Sequence, residues 1–229
     1  MFLEDGAPKM AVNESARDKM VENQLRANKV VDERLTEVMR RVERERFVPL
    51  AKRSVAYADE ALQISANRWL MEPMLFARLS QLADVRNSDL VLVVGAGMGY
   101  GAAVLASLAS AVVALEEDED LAAAAAVAMA GIDGASDNVV IENGELTKGW
   151  DGQAPYDVIF VEGAIDGRPN TLLAQLAEGG RLVAMETVAS NVQRGVLYLK
   201  RGDSIARREV FDGTTPVLPG FASAPEFSF

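Results

Sequence analysis

The chain has 229 residues, with 23 Lys+Arg against 34 Asp+Glu, a formal charge of −11, and neither cysteine nor histidine. The two missing types exclude disulfides, thiolate or Ser-His-Asp nucleophiles, Cys-ligated zinc, Fe–S clusters and imidazole-bound metals. The length suits one α/β domain with a short appendage, and the acidic balance argues against DNA or anionic membranes as partners, which call for a basic face.

In chain order, residues 1–14 read as a loose tail. Met1–Met10 carries Glu4 and Asp5 and has no apolar h-region, so a secretory leader is not expected and a cytoplasmic location is. Two helices should follow. Ser15 with Asp18 three residues on resembles a capping box with Asp in place of Glu, ahead of Met20, Val21 and Leu25. The second begins near Asp32, where Leu35, Val38, Met39 and Val42 form one apolar stripe, and Pro49 closes the unit. The run Arg40–Arg46 alternates in sign and reads as a solvated helix face. Residues 54–72 have no steady period and predict a long loop with one short strand; such loops are often functional. Pro73 suits the first turn of a helix carrying Met74, Leu75, Leu79 and Leu82 on one face.

Leu90 to Leu115 is a run of 26 residues without a charge, long enough to span a bilayer. Its grammar points elsewhere. A β-branched run is followed by glycines at 95, 97, 99 and 101, which are poor helix material, then by an Ala/Leu segment and a second short apolar run. Strand, glycine turn, helix, strand is the better parse. Beyond Asp89, predicted strands at 90–94, 111–115, 138–142, 156–162 and 181–186 alternate with helices at 99–109, 118–130 and 168–177. This alternation implies a parallel sheet covered on both faces. Val196–Lys200 and Ile205–Phe211, separated by Gly202-Asp203, predict a closing antiparallel hairpin. The expected fold is one doubly wound α/β domain: a tail (1–14), a helical cap with a long loop (15–85) and an α/β core (86–229).

The informative segment is Val91–Gly101, where a strand runs directly into G-x-G-x-G. A side-chain-free turn at the carboxyl edge of an open α/β sheet lets a ligand approach the backbone. About 21 residues after Gly95, the next strand ends in Glu116-Glu117, placed to accept hydrogen bonds from both hydroxyls of a ribose. Two ligand classes compete. A nicotinamide site expects G-x-G-x-x-G/A and finds Tyr100 at the last position, matching only on the shifted register Gly97-x-Gly99-x-x-Ala102. S-adenosylmethionine (SAM), which is cationic at sulfur and has no pyrophosphate, fits the unshifted pattern.

At these residues the chain resembles the protein-L-isoaspartate O-methyltransferase family. The resemblance runs from about Met20 to Phe221: Met20–Arg26 with Asp32-Glu33-Arg34, Arg46–Pro49, Ala56–Asp59, Gly95–Tyr100 with Ala102–Ala106, Gly144-Glu145, Gly149-Trp150, Tyr156–Ile159, Gly179–Val183 and Pro216–Leu218. It implies a Rossmann-like mixed seven-stranded sheet, SAM as methyl donor, and a protein or peptide carboxylate as acceptor. It also implies a cofactor site at Gly95, Gly97, Gly99 and Tyr100, with Glu116 on the ribose and Gly144-Glu145 beside the adenine. Departures cluster around the acceptor. The family's Thr-Ile-Ser-Gln-Pro stands here as Trp69-Leu70-Met71-Glu72-Pro73, so Met71 replaces the active-site serine; Val93 replaces an acid, Glu162 a threonine and Leu146 a glycine.

Methyl transfer to a carboxylate needs positioning more than acid–base help, so the lack of histidine is no objection. Ser65, Asn67 and Arg68, just upstream, are the expected substitute donors to the acceptor. Three hypotheses remain open on sequence grounds: a SAM-dependent carboxyl methyltransferase, a catalytically silent relative that binds SAM or a protein, and a nicotinamide-dependent oxidoreductase on the shifted register. No metal, nucleic acid or membrane is expected, and the oligomeric state is unknown.

Overall fold

The computed structural model describes residues 7–132, 135–190 and 192–223. Five parallel strands and two antiparallel ones form a single sheet in the order β5-β4-β3-β6-β7-β8-β9. These strands are β3 (Leu90–Val94), β4 (Ala111–Glu116), β5 (Val139–Asn143), β6 (Tyr156–Asp166), β7 (Leu176–Ala189), β8 (Val192–Arg201) and β9 (Ser204–Asp212). A separate antiparallel hairpin, β1 (Leu62–Ser65) with β2 (Arg68–Leu70), lies in the cap. The helices are α1 (Ala7–Met20), α2 (Glu33–Arg41), α3 (Pro73–Ala83), α4 (Tyr100–Ala106), α5 (Glu119–Met129), α6 (Ala135–Asn138) and α7 (Asn170–Ala174).

Local chemistry explains most boundaries. Leu90–Val94 is a continuous apolar run because β3 lies mid-sheet between β4 and β6, with its last four side chains fully buried. The Asp32 and Asp118 side chains accept from the backbone N–H groups two and three residues on and cap α2 and α5. Pro73 opens α3, and Asp84 closes it at φ 47°. The Gly202-Asp203 turn joins β8 to β9. The apolar face of the cap, including Leu35, Met39, Phe47 and Phe76, merges with Val91, Val93 and Phe160 of the sheet in one continuous core.

Three expectations are corrected. Residues 7–14 of the supposed tail are helical, and α1 runs through Ser15 without a break, so no capping box starts there; residues 1–6 lie outside the described residues. The 54–72 segment holds two strands rather than one, because Ala66 and Asn67 turn the chain back on itself. The Arg40–Arg46 run is not a uniform solvated face. α2 ends at Arg41, and a tighter turn over Arg44–Phe47 rotates Arg44 into the interior, where it is 0% exposed.

β3 connects to β4 on one side, and the chain later crosses to β6 on the other. The crevice outside the carboxyl ends of β3 and β6 is thus the topological switch point, where open α/β sheets bind ligands. Thr215–Phe221 is laid along the extended end of β6, with a parallel bridge between Ala164 and Val217, and walls the far side of that crevice.

Candidate active site

Gly95, Gly97 and Gly99 all take positive φ (82°, 56° and 93°), so the turn after β3 needs glycine on conformational grounds alone. Behind it, the carboxylate of Glu116 ends β4 and is 0% exposed. Four donors converge on it. Arg68 Nη1 donates to Oε1 at 2.8 Å, the Gly97 N–H to Oε2 at 2.6 Å, and the N–H groups of Glu117 and Asp118 to Oε1 at 3.0 and 3.1 Å. The sequence places an acid here; the fold makes it the most heavily hydrogen-bonded side chain of the crevice.

The hairpin closes over the same turn. Arg68, 3% exposed, also donates through Nη2 to the Gly95 carbonyl at 2.8 Å. A Cβ at Gly95 would meet the Leu218 methyls at 3.0 Å and Arg68 Nη2 at 3.2 Å, and one at Gly97 would meet Ile64 Cδ1 at 2.8 Å. The glycine cradle is therefore covered by Ile64, Arg68 and Leu218. Gly99 instead faces Ala125 and Met129 of α5.

The other expected site residues are dispersed. Ser65 Oγ donates to Asp118 Oδ2 at 3.3 Å on the rim, and Asn67 is exposed at the hairpin turn. Met71 is buried at 1% exposure in the core, and its carbonyl accepts from Arg44 Nη2. The Tyr100 ring turns from the glycine turn into the cap, edge-on to Phe47 at 5.7 Å and beneath the Arg44 guanidinium at 4.8 Å. Gly144 lies against Trp150, and its N–H donates to the Glu116 carbonyl at 3.1 Å. Glu145 is exposed and pairs with Lys148 at 2.7 Å, accepting also from Thr147.

Two residues outside the expected set complete the crevice. Arg44 is buried with Nε on the Ala56 carbonyl at 2.8 Å and Nη2 on the Met71 carbonyl, and its guanidinium lies over the Tyr100 ring. Burial lowers its pKa. Glu162, one residue past the last β3–β6 pair, Val94 with Val161, is 3% exposed. Burial pushes its carboxyl up to about 8, with Arg44 and Arg68 pulling the other way and Glu116 adding to the rise. Nothing local in the sequence marks Arg44, whose neighbours are charged. Glu162 stands out as an acid ending an apolar strand, at the position where the resembled family has a threonine.

The comparisons with known proteins agree on one family. The sequence model for protein-L-isoaspartate(D-aspartate) O-methyltransferase matches residues 15–214. The protein-L-isoaspartate O-methyltransferase 2 of Anaeromyxobacter is 39% identical over 82% of this chain and 76% of its own length. The protein-L-isoaspartate O-methyltransferase of Methanoculleus marisnigri is 41% identical over 73% of this chain and 76% of its own. A solved protein-L-isoaspartate O-methyltransferase superposes with TM-score 0.75 at 25% identity, over 89% of this chain and 66% of that one. A Plasmodium falciparum structure described as a complex of that enzyme class with S-adenosyl-L-homocysteine superposes with TM-score 0.74 at 19% identity, over 90% and 97%, and supports the fold. Matched over residues 15–214 and 39% identical to a curated member over most of its length, the chain belongs to the protein-L-isoaspartate(D-aspartate) O-methyltransferase family.

Proposed function

We propose that the chain is a SAM-dependent protein carboxyl O-methyltransferase acting on isoaspartyl carboxylates of protein or peptide substrates. The observation that carries the reading is the positive-φ glycine turn with Glu116 behind it at the switch point of the sheet, in a member of this family. The residues fit a sulfonium nucleoside in kind. Glu116 is an acid at the strand end next to the turn, suited to ribose hydroxyls, and Gly95 and Gly97 permit close approach to the backbone. Gly144 and Glu145 follow the next strand, on the side the family gives to the adenine.

In this conformation Ile64, Arg68 and Leu218 take up the room over those glycines. Ligand entry therefore requires the β1–β2 hairpin to lift and Arg68 to release Glu116. When bound, SAM supplies a methyl group on a sulfonium whose leaving group is a neutral thioether. The chain holds the acceptor carboxylate in line and excludes water; no base is needed, because that nucleophile is already ionised.

Calorimetry with SAM and S-adenosyl-L-homocysteine, followed by radiolabelled methyl transfer to an isoaspartyl peptide, tests the reading. Binding and transfer are expected. No heat with either ligand overturns it, and binding without transfer reduces the chain to a SAM-binding module. Arg68→Ala sharpens the outcome: without the guanidinium that competes for Glu116, SAM should bind about tenfold more tightly. Weaker binding would instead assign Arg68 to holding the ligand.

A further inference from the structure

Beside the cradle lies a small cavity. It has a volume of about 10 Å³, enough for one water, and is bounded by Asn67, Arg68 and Trp69 of the hairpin, Glu162 of β6, and Thr215 and Leu218 of the C-terminal segment. It shares Arg68 with the cradle, so whatever moves Arg68 off Glu116 also remodels this space. Two buried polar atoms of its wall, Arg68 Nε and Glu162 Oε2, make no well-formed hydrogen bond among the described residues. Buried polar atoms are nearly always paired, and unpaired ones next to a crevice mark a place where a ligand completes the bonding.

The charges point to the kind of ligand. Glu162 is faced by Arg44 from the turn after α2, Arg68 from β2, Glu116 from β4 and Tyr100 from α4. Of these, Arg44 and Arg68 are cations and Glu116 is the single partnered carboxylate. If Glu162 is ionised, the cluster is balanced and has no positive charge left over to attract an anion. If it is neutral, one positive charge is left over and Glu162 has an O–H to give. A neutral carboxyl is both donor and acceptor, whereas a carboxylate only accepts. Gly101 makes this placement possible: a Cβ there would stand 2.3 Å from Glu162 Oε2.

We infer that Glu162, in its acid form, is the residue that selects and holds the acceptor carboxylate, donating to it the hydrogen bond that a hydroxyl side chain would otherwise give. The inference rests on the methyltransferase reading above and deepens it. Burial, which carries the carboxyl up to about 8, keeps the acid form dominant at neutral pH. An acceptor carboxylate then restores charge balance with Arg44 and Arg68. Above that pH, Glu162 ionises, the donor is lost, and two carboxylates face each other.

The test measures affinity and turnover separately. An isoaspartyl peptide is titrated into full-length protein by Trp69 fluorescence, with and without S-adenosyl-L-homocysteine, from pH 6.5 to 9.5. KM and kcat for methyl transfer follow over the same range. For wild type, Kd and KM should rise about tenfold per pH unit above 8 while kcat changes little. Glu162→Gln keeps a neutral donor, so its Kd should stay flat with pH and within about threefold of the wild-type value at pH 7. Glu162→Ala should bind the peptide at every pH about tenfold or more weakly than the wild type does at pH 7, with no pH dependence of its own. S-adenosyl-L-homocysteine binding by all three proteins checks that the variants fold. A flat wild-type profile, or Gln and Ala variants that behave alike, overturns the role of Glu162. Peptide binding that follows this pH pattern without any methyl transfer supports the role and overturns the transferase reading. No peptide binding at any pH overturns both.

Discussion

The two edges of the same sheet handle buried charge in opposite ways. At the amino edge, Arg181 is joined to Asp89 at 2.6 Å and to the carbonyls of Ala83, Asp84 and Asp157, so each guanidinium nitrogen has a partner. Asp89 also accepts from the Arg86 N–H at 2.8 Å, and Asp157 from the Leu90 N–H at 2.9 Å. This network ties the end of α3 to the starts of β3 and β6, and among the described residues no buried side-chain polar atom of Arg181 or Asp89 is left unpaired. At the carboxyl edge, Arg44, Arg68, Glu116, Glu162 and Tyr100 are buried at least as deeply, yet Arg68 Nε and Glu162 Oε2 make no well-formed hydrogen bond among the described residues. Unpaired buried groups cost about 1–3 kcal/mol each, so their presence at the switch point is understandable where a ligand shares the bonding. A satisfied network holds the fold, and an incomplete one points to the site.

Mutations at the two edges should separate these roles. The largest effect is expected from Glu116→Ala, which strands Arg68 as an unpaired buried cation: a loss of about 3–5 kcal/mol in denaturant unfolding, together with loss of SAM binding in calorimetry. Full SAM affinity in this variant would remove Glu116 from the site. At the amino edge, Asp89→Ala deprives Arg181 of its charged partner but leaves three carbonyls, so about 1.5–3 kcal/mol of stability should be lost. SAM and peptide affinities should there stay within about twofold, and a larger change would mean that the edges are coupled. The smallest effect per step concerns pH. The folded Glu162 carboxyl is raised above its ordinary value, so between about 4.5 and 8 the native state holds a proton that the unfolded chain has released. Its contribution to stability is therefore lost as pH rises through that window, by up to about 1.4 kcal/mol per pH unit. Glu162→Gln should flatten this decline, and parallel stability–pH curves for the two proteins would place the proton elsewhere.

Much of this was legible in the chain itself. The five parallel strands, the closing hairpin, the helix starts near Asp32 and Asp118, the glycine turn and the position of Glu116 all follow from local rules: apolar period and side-chain-free turn. Of the expected donors, Arg68 pairs with Glu116 across 48 residues of chain, whereas Ser65 lies at the rim and Asn67 at the hairpin turn. Arg44 was misread for a related reason. An alternating charge run looks solvated until the helix ends and the following turn rotates one member inward.

The amino-acid order by itself thus determined the architecture, the order of the elements and the acid behind the glycine turn, because each depends on interactions within a few residues or on a repeating apolar pattern. Tertiary structure alone decided that Arg68 locks Glu116, that Ile64 and Leu218 cover the glycines, and that Arg44 and Glu162 meet beside them. Those contacts join residues tens to more than a hundred positions apart. Their energies depend on burial, which no local pattern encodes: the same arginine is a solvated charge on a helix face and a structural or ligand-directing group once water is removed.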